Sequence, residues 1–154
     1  MTTRTPPWER LKDVAAKRRD AHAQRLATLT RERDDAARRL EMLVGYRADY
    51  EARLAQAART GIDPSGLRNY QAFLAQLERA IGQQTEILGA AEQSVNGAKA
   101  QWTSEHQRVE SFQVLDERHL TGIARDEQRR AQKLTDEWSA RSRAHTGTPS
   151  ESER

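Results

Sequence analysis

The chain has no cysteine. No disulfide framework and no thiolate metal site can form, which fits a reducing cytoplasm. Aromatic residues are scarce at 5%, and apolar residues of all kinds make up only 36% of the 154 positions. That share is too thin for a thick core, but it is enough for one narrow seam between helices. No stretch approaches the roughly 20 apolar residues that span a bilayer. The opening MTTRTPPWERLKD has no apolar run either, so no secretory signal is expected. Proline is confined to Pro6, Pro7, Pro64 and Pro149. An interior proline costs a helix about 3 kcal/mol, and none interrupts residues 8–60 or 65–140. The polar ends, 1–7 and 141–154, are expected to be disordered.

What is abundant is charge, at 32%, together with Ala, Arg, Leu and Gln. This is the composition of long helices and coiled coils. Residues 26–57 read as heptads. Position a holds Leu26, Arg33, Leu40, Arg47 and Leu54, and position d holds Leu29, Ala36, Leu43, Tyr50 and Ala57. The spacing resumes at Leu67 and runs through Tyr70, Leu74, Leu77, Ile81, Gln84 and Leu88, then by way of Val95, Trp102 and Val109 to Ile123. Beyond Ile123 the pattern fades, although Ala131, Leu134 and Trp138 extend a helix.

Between the two runs lies TGIDPSGL. Gly61 can adopt the left-handed conformation that ends a helix. Asp63 can cap the next helix, with Pro64 at its first position. A turn this short joins antiparallel neighbours. The fold class is therefore all-α: a long antiparallel two-helix coiled-coil hairpin, with helix one at about 8–60, a turn at 61–63 and helix two at about 64–140.

Opposed residues in such a pair have numbers with a constant sum. A sum of 124 matches a with d at every layer, from Leu54 with Tyr70, through Tyr50 with Leu74, Arg47 with Leu77 and Leu43 with Ile81, to His22 with Trp102; a shift of one heptad is the alternative, and it centres less well on the turn. Charge agrees. Residues 1–60 carry fourteen Lys/Arg against nine Asp/Glu, and residues 61–117 carry four against eight. A basic arm on an acidic arm is favoured, whereas two basic arms would repel. The second helix outruns the first, so residues 118–140 are expected to lack a partner within the chain.

No catalytic constellation is present. The four histidines, His22, His106, His119 and His145, are scattered, and His106 with Glu110 is the ordinary spacing of a solvated helix pair. There is no phosphate loop and no nucleophile motif, and a two-helix hairpin offers no deep pocket. No enzyme activity, cofactor, metal or small-molecule substrate is expected. The basic run KRRDAHAQR at 17–25 reads as a solvated helix face better than as a nucleic-acid site. One feature stands out. Position g, which flanks the seam and is normally polar, holds Tyr46, Phe73, Ala80 and Ile87, with Arg39 and Arg53 on the same edge. Grouped aromatics there suggest a partner site. The competing reading folds Tyr46 over Ala80 and widens the seam.

At these residues the chain resembles the FliJ family of the bacterial flagellar type III export apparatus. The resemblance rests on RRLEMLVGYRADYEARL, the Gly-containing turn and LRNYQAFLAQLERAIGQQ. It covers about residues 8–140 and is strongest at 39–84. It implies a hairpin similar to the central stalk of rotary ATPases. One end of that stalk enters the hexameric export ATPase. The remainder contacts the membrane-embedded export gate and escorts export chaperones, in the cytoplasm at the inner membrane of the flagellar base. By resemblance the gate-binding positions are Arg39, Leu43, Tyr46, Tyr50, Phe73, Leu77, Ala80 and Gln84. Arg39 and Gln84 depart from the family pattern, and Leu43, Tyr50, Leu77 and Gln84 double as seam residues. The ATPase end would use Leu11, Val14, Arg18, Ile123, Arg130 and Leu134. The alternatives are the equivalent stalk of a virulence secretion system, or a structural or nucleic-acid-associated coiled coil without an export role.

Overall fold

The computed structural model describes residues 4–147. Within them the chain is two helices, α1 (Glu9–Thr60) and α2 (Pro64–Thr146), with no strand. The helices pack against each other as an all-α two-helix hairpin. The expected disorder at 1–3 and 148–154 falls outside the described residues. At 141–146, however, the chain is helical rather than disordered. The sequence ARSRAHT holds no breaker, and the Thr146 hydroxyl donates back to the carbonyls of Ser142 and Arg143. The first residue able to stop the helix is Gly147.

The chain divides into two compact units, one up to Val109 and one from Glu110. The first contains α1, the turn and the N-terminal part of α2. Its core is a single thin seam of Ala15, Ala36, Leu77, Val95, Ala98 and Val109. Alanine and valine dominate because a two-helix interface has little depth to fill. Among the described residues no polar or charged residue is fully buried.

Contacts across the seam establish its register. In knobs-into-holes packing a layer residue enters a hole of four residues on the facing helix. With Tyr50 level with Leu74, its hole includes Tyr70 and Phe73. The Tyr50 ring lies 5.0 Å from that of Tyr70 and 4.3 Å from that of Phe73, tilted against both. With Arg47 level with Leu77, its hole includes Glu78, and Arg47 pairs with that carboxylate at 3.1 Å. With Ala36 level with Leu88, its hole includes Gln84. The Gln84 amide donates to the Ala36 carbonyl at 3.1 Å. All three fit a sum of 124, and the Tyr50–Phe73 and Arg47–Glu78 contacts would be broken by a slip of one heptad in either direction.

The turn is built as its residues dictate. Gly61 has φ 96°, a conformation that side chains with a Cβ rarely adopt. The Asp63 carbonyl accepts from Leu67 N–H, opening α2. One Asp63 carboxylate oxygen accepts from Gly66 N–H at 3.2 Å and the other from the Ser65 hydroxyl at 2.8 Å. Gly66 has no side chain to obstruct this cap: a Cβ there would sit 2.8 Å from the carboxylate. The Ser65 hydroxyl first, and the Gly66 N–H second, hold the Asp63 carboxyl below its ordinary value of 3.8.

Two outcomes are expected. Gly61→Ala should destabilise the hairpin by about 1–3 kcal/mol in chemical denaturation. Because the Asp63 pKa is depressed in the folded state, its contribution is present above the ordinary carboxylate value and is lost as pH falls through the folded one. The difference in melting temperature between wild type and Asp63→Asn should therefore be largest near neutral pH and shrink below pH 3.8.

Candidate functional site

The seam uses the a and d residues, so any partner surface must come from what it leaves outside. In the first unit the edge formed by the g positions of both helices lies outside it. Register sets Arg53 opposite Phe73, Tyr46 opposite Ala80 and Arg39 opposite Ile87. Tyr46 is 54% exposed, Ile87 53% and Phe73 40%. Tyr46 is thus not folded away over Ala80, and the edge is surface. Phe73 does two jobs, touching Tyr50 on its inner side while keeping its outer side open. Tilted aromatic contacts of this kind are worth about 0.5–1.5 kcal/mol beyond the area they bury.

The eight positions that the resemblance marks for gate binding separate by depth. Arg39, Tyr46 and Phe73 are exposed. Leu43, Tyr50, Ala80 and Gln84 are half-buried, and Gln84 spends its amide on the Ala36 carbonyl. Leu77 is 7% exposed and belongs to the core. A partner can touch the first group, whereas Leu77 can influence it only by holding the seam.

The second unit carries its own apolar stripe. Leu120, Ile123, Ala131, Leu134 and Trp138 follow a 3-4-4 spacing, with Glu127 between, and so share one helix face. All five are exposed, Trp138 to 71%. Of the expected ATPase-end residues, Ile123, Arg130 and Leu134 lie in this unit and are exposed. Leu11, Val14 and Arg18 lie in the first unit and are exposed as well. Leu120 and Trp138 were not in the expected set. Their signal was the 3-4-4 spacing, which a strict heptad count reads as a fading pattern.

Among the described residues no group of three or more His, Cys, Asp or Glu could hold a metal. The concavities found in the second unit are open clefts between side chains of a single helix, such as Arg129, Lys133 and Asp136. Among the described residues no helix is long and apolar enough to cross a membrane.

Thin seam and exposed apolar stripes together define the class: an all-α two-helix hairpin that leaves apolar surface open. Comparison with known proteins resolves the class into a family. Residues 5–147 match the model of the flagellar FliJ protein family. The chain is 34% identical over 131 residues to the flagellar FliJ protein of Escherichia coli K12, covering 85% of this chain and 89% of that protein. It is also 34% identical over 133 residues to the flagellar FliJ protein of Salmonella typhi, covering 86% and 90%. The chain belongs to the flagellar FliJ family, and so among the components of flagellar export.

The depth ordering is testable by melting. Leu77→Ala should destabilise the hairpin by about 2–5 kcal/mol. Tyr46→Ala should cost less than about 1 kcal/mol, since its ring rests mostly in solvent.

Proposed function

We propose that this chain is a coupling component of flagellar protein export, binding the hexameric export ATPase and the membrane export gate and escorting export chaperones. It acts without catalysing a reaction, in the cytoplasm beside the inner membrane. The observation that carries this reading is apolar surface left open in a chain that has little to spare. Tyr46 and Phe73 lie open in the first unit, as do Leu120, Leu134 and Trp138 in the second. Exposed stripes of this size at helical spacing suit docking against partner proteins.

The two surfaces take separate roles. The Tyr46–Phe73 edge, with Arg39 beside it, serves the gate. The stripe of the second unit, with Ile123, Arg130 and Leu134, serves the ATPase, and Leu11, Val14 and Arg18 of α1 serve it too. Arginines among the apolar anchors suit a protein partner, because guanidinium groups pair with carboxylates in fixed geometry.

The test is the activity of the cognate export ATPase with and without the protein. Full-length chain should stimulate hydrolysis. Truncation after Arg118 should abolish stimulation while circular dichroism still reports a helical hairpin. Full stimulation by the truncated chain would sink the assignment of the second unit. Tyr46→Ala combined with Phe73→Ala should weaken gate binding and leave ATPase stimulation intact.

A further inference from the structure

The exposed edge of the first unit has a composition that narrows its partner. From Asn69 to Gly97 every c and g residue of α2 is uncharged, in a chain that is 32% charged overall. The stripe they form, one side chain wide, is about 42 Å long. Its bulky points are Phe73 and Ile87, with the small Ala80 as a notch midway between them. Neither the seam nor helix propensity requires this. Surface positions of a helix are ordinarily filled by Glu, Lys and Arg, and the opposite edge of α2 has Glu78, Glu92 and Lys99.

Across the edge, the g positions of α1 are Arg53, Tyr46 and Arg39 alongside Phe73, Ala80 and Ile87, and Glu32 beyond them alongside Ser94. Register sets Arg53 opposite Phe73 and Arg39 opposite Ile87, so the two guanidiniums bracket the notch at about 21 Å separation. Among the described residues neither arginine makes an ion pair or hydrogen bond, whereas Arg38 is engaged by Asp35 and Arg47 by Glu51 and Glu78. Asp35 and Asp49 lie one step further round α1, on its outer flank.

We infer that this edge seats a third helix, supplied by a partner, whose apolar stripe lies on Phe73, Ala80 and Ile87 and whose two carboxylates, two heptads apart, pair with Arg39 and Arg53. The inference rests on reading the edge as a partner site and adds the partner's chemistry and footprint. A bulky residue midway along that helix fills the Ala80 notch beside Tyr46. A straight, uncharged strip alongside a two-helix hairpin suits a helix laid in a groove. Charge complementarity at both ends sets its position along the strip. A second copy of this chain fits poorly, because self-pairing of the edge would bring arginine to arginine. A nucleic acid fits poorly as well, because two cations so far apart, flanked by Asp35 and Asp49, do not track a phosphate backbone.

The test uses the full chain and synthetic helices of about 18 residues, long enough to span both arginines. The acidic probe has leucines at 3-4 spacing and two glutamates fourteen residues apart. In the comparison probes both glutamates are replaced by glutamine or by lysine. Fluorescence anisotropy should show the acidic helix binding about tenfold or more tighter than the glutamine helix. Ile87→Ser should weaken binding, whereas Val44→Ser, on the opposite edge, should leave it unchanged. The chain carrying Arg39→Glu and Arg53→Glu should lose the acidic helix and gain the lysine helix. That exchange of preference cannot arise from misfolding. Equal binding of acidic and glutamine helices, no exchange of preference, or sedimentation showing that the edge is occupied by self-association would each overturn the inference. The cytoplasmic part of the cognate gate is assayed in parallel. If it fails to bind while the charge-swap pattern holds, the gate assignment falls and the helix seat stands.

Discussion

The register of the seam is the constraint on which the rest depends. Three contacts hold it: Tyr50 between Tyr70 and Phe73, Arg47 on Glu78, and the Gln84 amide on the Ala36 carbonyl. The first is apolar and lies near the turn. The other two use polar groups in or beside the seam, where they add little to stability; the Arg47–Glu78 pair, like the Tyr50–Phe73 contact, is lost on a slip of one heptad either way. A slip of one heptad would move facing residues about 10 Å past each other. Arg53 and Phe73 would no longer oppose, and neither would Arg39 and Ile87. The proposed partner surface is therefore a consequence of how the turn and the seam fix the helices along their length.

A two-helix seam also explains why function lies at the surface. Its core is built largely from alanine and valine, with Leu77 the largest buried side chain. Such an interface has no interior in which to enclose a substrate. Larger apolar side chains that are not needed for the seam stay in contact with water unless a partner covers them. Tyr46, Ile87, Leu134 and Trp138 are in that position. Leu77, which is buried in the seam, and Tyr46, which faces outward, mark the division between holding the helices and the proposed recognition.

Much of this was legible in the residues. Gly61, Asp63 and Pro64 marked the turn because each has a backbone requirement or capability that few other residues share. The layer pairing follows once the turn is located, since a sum of 124 centres the heptads on it better than a shift of one heptad does. Other features were hidden. Tyr46 and Tyr50 are the same residue type four positions apart, and periodicity alone could not say that one ring lodges between Tyr70 and Phe73 while the other stays out. The heptad pattern runs through Val109 and Phe112 without a break, so nothing in it announced the boundary between units at Val109 and Glu110. The segment 141–146 is polar, as a disordered tail is, yet it holds no breaker and is helical. The stripe through Leu120 and Trp138 escapes a heptad count because it follows eleven-residue spacing rather than seven.

The register itself is the most direct point of attack, and the absence of native cysteine makes it accessible. A disulfide forms only when the two Cβ atoms lie within about 3.5–4.5 Å. Leu43→Cys should therefore cross-link efficiently with Ile81→Cys under mild oxidation, and poorly with Leu74→Cys or Leu88→Cys, which report a slip of one heptad either way. Preferential cross-linking to position 74 or 88 would contradict the register, and with it the edge on which Arg39, Tyr46, Arg53, Phe73 and Ile87 meet.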